Sequence, residues 1–250
     1  MIATYDLPAT GATDATPLLL IHGWTCDHQA MAPVAAAFPE RARRSVDLLG
    51  HGATPGGGDY AIATQARAVL EVAPPRAILI GHSMGGQIAV EAAAQAPDRV
   101  AGIVLLDPAF IAPYDKTRAF GEGLRQQLAR LGDAEIPAMM EAFGRRQIVR
   151  ATDEAGMEAL LGVMKSTDPH VVRAAWDAIC DWDGEAALAR VRCPALVIGI
   201  DKALNRPADL IRVNKTVMTA TVAGSGHMVQ FEVMDQVAAM IRRFFLLNGL

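Results

Sequence analysis

Short apolar runs alternate with segments of helical periodicity along most of the chain. Residues 61–73, 86–96 and 234–247 have the spacing of amphipathic helices. Six apolar runs are rich in branched side chains and bounded by Gly, Pro or Asp, as buried parallel strands are. These runs are PLLLI (17–21), SVDLL (45–49), AILIG (77–81), VAGIVLL (100–106), ALVIGI (195–200) and TVMTATV (216–222). The alternation predicts an α/β fold, a doubly wound and mostly parallel sheet that binds ligands at the carboxyl ends of its strands.

One long interval, residues 110–183, contains helical stripes and no convincing strand. Asp168 followed by Pro169 is typical of an N-cap with proline in the first helical turn. We therefore predict a helical lid subdomain over 110–183, inserted into a core formed by 1–109 and 184–250. Three further apolar stripes predict the other lid helices. They are Phe120, Leu124, Leu128 and Leu131; Ile136, Met139, Met140 and Phe143; and Met157, Leu160, Leu161 and Met164.

The run AILIG leads into Ser83, which has a glycine two residues away on each side, in GHSMGG (81–86). Glycine tolerates close approaches and backbone angles that side chains forbid, so this spacing favours a turn that holds its central residue in strain. Such a turn displays a hydroxyl between the carboxyl end of a strand and the amino end of a helix. Ser83 is therefore the candidate nucleophile.

A serine hydroxyl is a weak nucleophile, and acyl transfer requires a base within hydrogen-bond reach. His227 follows Gly224-Ser225-Gly226 in a loop after the last predicted strand. That loop can carry an imidazole, which titrates near neutral pH, over the edge of the sheet to Ser83. His227 is the candidate base.

Four segments, in the same order along the chain, resemble the α/β-hydrolase family and its lidded serine esterase and lipase-like members. They are HGW (22–24), DLLGHGAT (47–54), GHSMGG (81–86) and GSGHM (224–228). The resemblance covers nearly the whole chain, and the third segment matches the strand-to-helix turn that carries the family's nucleophile. It implies that the backbone N–H groups of Trp24 and Met84 form the oxyanion hole.

Two carboxylates are candidates for the acid that orients His227. Asp107 ends the run VAGIVLL, and Asp201 follows the run ALVIGI. Many family members carry the acid a few residues beyond the strand after the lid, where this chain has Ala203, Leu204 and Asn205. We favour Asp107, which occupies the other position known for the acid in the family. Asp107 precedes a proline, and a purely structural role in a turn is the alternative.

Composition excludes several classes of function. A formal net charge of −4 provides no basic field for nucleic acid or anionic lipid. No apolar run approaches the roughly 20 residues that span a bilayer, and the amino terminus lacks a signal-peptide pattern, so we expect a cytoplasmic protein.

Cys26, Cys180 and Cys193 are widely spaced and odd in number, which favours reduced, packed thiols. The sequence has no metal-binding pattern such as H-x-x-E-H, so neither a metal nor another cofactor is expected.

The lid stripes are rich in Met, Phe and Leu, which suit an apolar pocket. We predict that Trp24, Phe110, Met140 and Phe143 line it. The predicted function is hydrolysis of a small to medium, mostly apolar carboxylic ester, thioester or lactone through an acyl-enzyme on Ser83.

Two alternatives use the same fold. HGWTCDH (22–28) resembles a segment of cofactor-independent dioxygenases that act on heteroaromatic substrates. A receptor that retains the hydrolase shell and binds a ligand is the other alternative. Among the remaining histidines, we expect structural hydrogen bonding from His22 and His51, packing beneath the turn from His82, and a surface position for His170.

Overall fold

A computed structural model describes residues 1–250. Its centre is a seven-stranded sheet in the order β1-β3-β2-β4-β5-β6-β7, in which only β1 runs antiparallel to its neighbour. Helices pack on both faces, which confirms the predicted doubly wound α/β fold. The strands are β1 Ala3–Leu7, β2 Leu18–Ile21, β3 Arg43–Asp47, β4 Ala77–His82, β5 Val100–Leu106, β6 Ala195–Gly199 and β7 Val217–Thr221.

Eleven α-helices surround the sheet. Short 3₁₀ helices at His28–Met31 and Asp133–Glu135 precede α1 and α5. The α-helices are α1 Ala32–Ala37, α2 Ile62–Val72, α3 Met84–Gln95, α4 Asp115–Arg130, α5 Ile136–Arg146, α6 Glu154–Ser166, α7 Pro169–Asp181, α8 Gly184–Leu188, α9 Pro207–Val213, α10 Val229–Glu232 and α11 Met234–Asn248. No helix is long and apolar enough to cross a membrane.

All six predicted strands form, and two differences from the prediction have physical causes. The edge strand β1 was not predicted, because it is short and mostly accessible to solvent and has no apolar run. Strand β3 lies two residues earlier than predicted and begins at Arg43. The Arg43 guanidinium is buried and donates to the carbonyl of Ala35 at 3.2 Å, so a charged residue occupies a strand position. Leu48 and Leu49 lie beyond the strand, in the following turn.

Alternation along β2 divides the core between the two faces of the sheet. Leu19 and Ile21 join one buried cluster, and Leu18 and Leu20 join the other. The first cluster includes α2 and α3, and the second includes α1 and α11. The sheet is therefore covered on both sides, and only its strand ends remain available for a site.

The interval between β5 and β6 holds five α-helices, of which the first four, α4 to α7, are here called the helical insertion. Most of its buried apolar side chains belong to the same cluster as α2 and α3. Asp168 caps α7 as predicted, accepting from the His170 amide at 2.7 Å. Gln87 of α3 ties both ends of the helical insertion to the core by donating to the carbonyls of Phe110 at 2.8 Å and Ile179 at 3.1 Å.

Candidate active site

Ser83 lies at the sharp turn between β4 and α3, with a φ of 54° and a ψ of −118°. This conformation is strained for a residue with a side chain and is typical of functional sites. A β-carbon at Gly81 would overlap the Gly85 carbonyl, and one at Gly85 would overlap the carbonyl of Ile21, so the turn requires both glycines. The Ser83 side chain does not cap α3, which leaves its hydroxyl available to a substrate.

His227 and Asp107 form a hydrogen-bonded pair although they are 120 residues apart in sequence. His227 Nδ1 lies 2.6 Å from Asp107 Oδ2, and the Asp107 side chain is 2% exposed. A carboxylate can only accept, so the proton of this bond belongs to Nδ1, and Nε2 of the neutral ring is free to act as a base. His227 and Ser83 line the same cavity.

Backbone hydrogen bonds join the ends of three adjacent strands around these side chains. The Ser83 amide donates to the carbonyl of Leu106 at 3.1 Å, and the Asp107 amide donates to that of Ile198 at 2.7 Å. The Ala109 amide donates a hydrogen bond to the Ser83 carbonyl at 3.1 Å. The strand ends therefore fix the backbone of Ser83 relative to that of Asp107.

The segment that carries Asp107 is held by a residue that sequence reasoning did not assign. The buried Asn205 side chain accepts from the amides of Ile111 at 2.7 Å and Ala112 at 3.0 Å. Its NH₂ group donates to the carbonyls of Pro108 at 2.8 Å and Ala109 at 3.0 Å. The amide thus satisfies four backbone groups of one loop. The feature of the sequence that could have identified Asn205 is its position, which is one of those at which many family members carry the acid.

Asp201, the alternative acid, is exposed and does not line the cavity that holds Ser83 and His227. It lines a separate groove of about 600 Å³ beside the ends of β6 and β7. The structure therefore brings Asp107, and not Asp201, to His227.

The peptide between Gly23 and Trp24 lies beside Ser83, since a β-carbon at Gly23 would come within 3.1 Å of Ser83 Cβ. Its carbonyl accepts from His22 Nδ1 at 2.7 Å, and His22 Nε2 accepts from the Leu48 amide at 3.0 Å. In a trans peptide the N–H points opposite to the carbonyl, so this contact orients the Trp24 N–H. Burial, followed by the neighbouring His51, lowers the pKa of His22 to about 3 and keeps its ring neutral.

Met84 is the first residue of α3, where backbone N–H groups have no acceptor within the helix. Its N–H therefore remains available to an anion beside Ser83, where the positive end of the helix dipole also lies.

A cavity of about 110 Å³ lies above Ser83 and is mostly apolar. Trp24 and Phe143 line it, as do Phe120 and Trp176, which the pocket prediction did not include. That prediction is corrected at two positions. Phe110 is buried and packs edge-on against Trp176, at 6.1 Å between ring centroids, outside the cavity wall. The fully buried Met140 faces the core and not the cavity, because the stripe on α5 turns Phe143 toward the site instead.

Three further histidines differ in their surroundings. His51 is neutral, because burial lowers its pKa to about 4, and its Nδ1 lies 2.9 Å from the carbonyl of Leu49. His82 lines the cavity but is completely buried beneath the turn, and burial, followed by the neighbouring His227, lowers its pKa to about 3. His170 is exposed, as predicted.

Cys26 is the one cysteine that lines the cavity. Burial, followed by the charge of Asp27, raises the pKa of its thiol to about 12, so it does not compete as a nucleophile. All three cysteines are free. No group of three or more His, Cys, Asp or Glu side chains is arranged to hold a metal ion.

The aspartate and histidine of the segment that resembles the dioxygenases lie apart from the cavity. Asp27 caps the short helix after it by accepting from the Gln29 amide at 2.9 Å. His28 pairs with Asp47 at 2.9 Å and stacks on Tyr5. Neither Asp27 nor His28 lines the cavity above Ser83.

Comparisons with known proteins agree with the fold and identify the family. The chain is 26% identical over 239 residues to the biotin biosynthesis bifunctional protein BioHC of Cellvibrio japonicus, covering 91% of this chain and 47% of that protein. It thus spans about half the length of that relative. It is 28% identical over 193 residues to the pimeloyl-(acyl-carrier protein) methyl ester esterase of Aromatoleum aromaticum, covering 72% of this chain and 77% of the esterase.

An esterase structure from Exiguobacterium antarcticum shares the fold, with a TM-score of 0.80 at 17% identity over 97% of this chain and 94% of that one. Residues 18–240 match the model of the alpha/beta hydrolase family. The chain therefore belongs to the alpha/beta hydrolase family.

Proposed function

We propose that this protein is a serine hydrolase that cleaves a carboxylic ester through an acyl-enzyme on Ser83. The observation that carries the proposal is the pairing of His227 with buried Asp107 in the cavity that also holds the strained Ser83. The relative from Aromatoleum aromaticum is named as an ester hydrolase, which supports the same class of reaction here.

In the proposed reaction, Ser83 Oγ attacks the ester carbonyl carbon while its proton passes to His227 Nε2. Asp107 stabilises the imidazolium that forms. The Trp24 and Met84 N–H groups hold the negative oxygen of the tetrahedral intermediate. Its collapse breaks the bond to the alcohol, which leaves with the proton from His227. Water, which gives a proton to His227, then attacks the acyl-enzyme, and the second tetrahedral intermediate collapses to release the carboxylic acid and return the proton from His227 to Ser83.

The cavity favours a short, uncharged acyl group. Its volume of about 110 Å³ is well below the roughly 300–1,000 Å³ of pockets for drug-sized ligands. Aromatic and aliphatic side chains form most of its wall. The helical insertion contributes Phe120, Phe143 and Trp176, and we propose that it serves as the lid over the acyl site. Esters, thioesters and lactones with small acyl groups are the proposed substrates.

The proposal is tested by labelling with a fluorophosphonate probe and by turnover of nitrophenyl esters and lactones of varied length. We expect Ser83→Ala to abolish labelling and to lower hydrolysis by several orders of magnitude, because members of a triad act as a unit. The matched control is Ser166→Ala, which removes an exposed hydroxyl of α6 and should leave both unchanged. Persistent labelling of Ser83→Ala, or a labelled wild-type protein that turns over no ester or lactone, would contradict the proposal.

A further inference from the structure

Both polar groups of the His227 peptide backbone are held by parts of the chain distant in sequence. The His227 amide donates to the carbonyl of Gln147 at 2.7 Å. The His227 carbonyl accepts from His82 Nε2 at 2.9 Å. Gln147 directly follows α5, so a residue of the helical insertion bonds to the backbone of the proposed base.

A buried carboxylate reinforces this junction. Glu232, the last residue of α10, is 4% exposed. Its Oε1 accepts from the Gly226 amide at 3.0 Å, and its Oε2 accepts from the amides of Val149 at 2.7 Å and Arg150 at 2.8 Å. One side chain therefore bridges the residue before His227 and the first six residues after α5, which lead towards α6 and are here called the 147–152 connection.

Two further contacts extend the junction. Thr152 donates to the Phe231 carbonyl from its amide at 2.9 Å and from its hydroxyl at 2.8 Å. A β-carbon at Gly226 would overlap the Gln147 carbonyl, so the two backbones are in direct contact. The 147–152 connection thus contacts the loop between β7 and α10 through Gln147, and α10 itself through Val149, Arg150 and Thr152.

We infer that Glu232 is a positioning residue for the hydrolase reaction, which holds the His227 loop against the 147–152 connection and thereby couples the helical insertion to the base. The inference rests on the proposed role of His227. A carboxylate suits the position because three backbone N–H donors converge on it and none of its contacts requires it to donate. Small displacements of a base are costly, and about 1 Å can lower a rate by about 10²-fold.

Glu232→Gln is the direct test, because the amide keeps the shape but can present an acceptor oxygen to only one side of the junction. Its NH₂ group then faces a backbone donor on the other side. We expect kcat and the rate of fluorophosphonate labelling to fall by about 10- to 10²-fold, with KM for a short nitrophenyl ester little changed. Hydrogen exchange at the Gly226, Val149 and Arg150 amides should become faster by about tenfold or more.

The matched control is Asp153→Asn, an equal loss of charge one residue beyond the connection. Asp153 is exposed and caps α6 by accepting from the Gly156 amide at 2.9 Å. Asparagine caps helices well, so kcat should stay near the wild-type value. A second variant, Gly226→Ala, keeps the Glu232 side chain but places a β-carbon against the Gln147 carbonyl and within 3.1 Å of Glu232 Oε1, which separates the same two backbones. It should reproduce the loss in kcat and keeps the inference testable if Glu232→Gln does not fold.

Wild-type kcat and labelling rates in Glu232→Gln or in folded Gly226→Ala would overturn the inference. An effect confined to KM would also overturn it, since that result would place the connection in substrate binding alone. If the wild-type protein itself is neither labelled nor active, the proposed function fails. In that case hydrogen exchange still tests whether Glu232 holds the two segments together. Unchanged exchange at the Gly226, Val149 and Arg150 amides of Glu232→Gln would contradict this role, and faster exchange would support it.

Discussion

Asp107 combines two features that a residue in an ordinary turn does not need together. Its backbone has a φ of 36°, in the left-handed region, and its side chain is buried against His227. Aspartate is among the few non-glycine residues that tolerate this backbone region. Asn205 contributes four hydrogen bonds to the loop after it, so the strained residue is supported by neutral contacts. Asn205 thus occupies the position at which many members of the family carry the acid. Its side chain does not contact His227 there but holds backbone groups of the loop that follows Asp107.

Replacing Asp107 by asparagine should separate a catalytic from a structural role. The amide removes the charge that stabilises protonated His227, and it can impose the wrong tautomer on the ring. The comparable change in the triad of a serine protease lowers kcat by about 10⁴-fold. We expect Asp107→Asn to lower kcat by at least about 10²-fold, measured per folded molecule.

Asp201→Asn is the control for this experiment, because Asp201 is exposed and lies outside the cavity. It should leave kcat within about twofold of wild type, as exposed substitutions away from a site have small effects. A lower melting temperature of Asp107→Asn with unchanged turnover would assign Asp107 to the turn. A loss of turnover confined to Asp201→Asn would reverse the assignment of the acid.

At the scale of the elements, the helical insertion and the loop after β2 together supply the aromatic side chains that line the cavity. Trp24 Nε1 donates to the Val172 carbonyl at 3.0 Å, and Trp176 Nε1 donates to that of Gly121 at 3.0 Å. Their rings are 4.7 Å apart. Phe143 of α5 meets Trp24 edge-on at 5.7 Å and is only half-buried. The two tryptophans are thus held by hydrogen bonds, whereas Phe143 is held by packing alone.

Phe143→Ala should therefore open the acyl site with limited damage to the fold. We expect the ratio of kcat/KM for a hexanoyl ester to that for an acetyl ester to rise by about tenfold or more, since one methylene in an apolar pocket changes discrimination by that order. The loss of stability should be smaller than the about 3–5 kcal/mol typical of a fully buried phenylalanine.

Leu246→Ala serves as the control, because Leu246 is 73% exposed on α11 and does not line the cavity. Its acyl-length preference should equal that of wild type. If Phe143→Ala changes kcat/KM equally for all chain lengths, the helical insertion does not form the acyl site.

At the scale of the whole molecule, three uncharged histidines are buried near the strand ends. The pKa of His22 and that of His82 are lowered to about 3, and that of His51 to about 4, in each case mainly by burial. In the unfolded chain their pKa is about 6.5. Below that pH the unfolded state binds more protons than the folded state. Their contribution to stability is therefore complete above about pH 6.5 and is lost as the pH falls toward 3 or 4.

The free energy of unfolding should decrease steeply on acidification. Each such histidine contributes a slope of about 1.4 kcal/mol per pH unit within this window. We expect His51→Asn to reduce the slope between about pH 6 and pH 4.5 by about that amount, because the asparagine NH₂ can replace the Nδ1 donor to Leu49 and does not titrate. Urea unfolding at several pH values measures the slope.

His170→Asn is the control, since it removes an exposed histidine from the surface of α7. Its slope should match that of wild type. A slope that is equally steep in His51→Asn would mean that His51 does not link stability to pH.

Much of the architecture could be predicted from the sequence, because the patterns that specify it are local. The period of the apolar residues distinguishes the strands from the helices, and the glycines on either side of Ser83 lie within two positions of it. The N-cap at Asp168 is equally local. The edge strand β1 could not be predicted, because its pairing depends on β3 and not on an apolar pattern of its own.

Tertiary structure decided the features that join distant residues. Two carboxylates end strands of the same sheet, and only the folded chain shows that Asp107 meets His227 across 120 residues. The exclusion of Met140 from the cavity depends on how α5 packs against the core, and that of Phe110 depends on how the loop after β5 packs against Trp176. Glu232 has an ordinary position at the end of a short helix, and its role appears only when residues 149, 150 and 226 converge on it. Local patterns specify which elements form, whereas burial and backbone contacts between those elements determine which side chains meet.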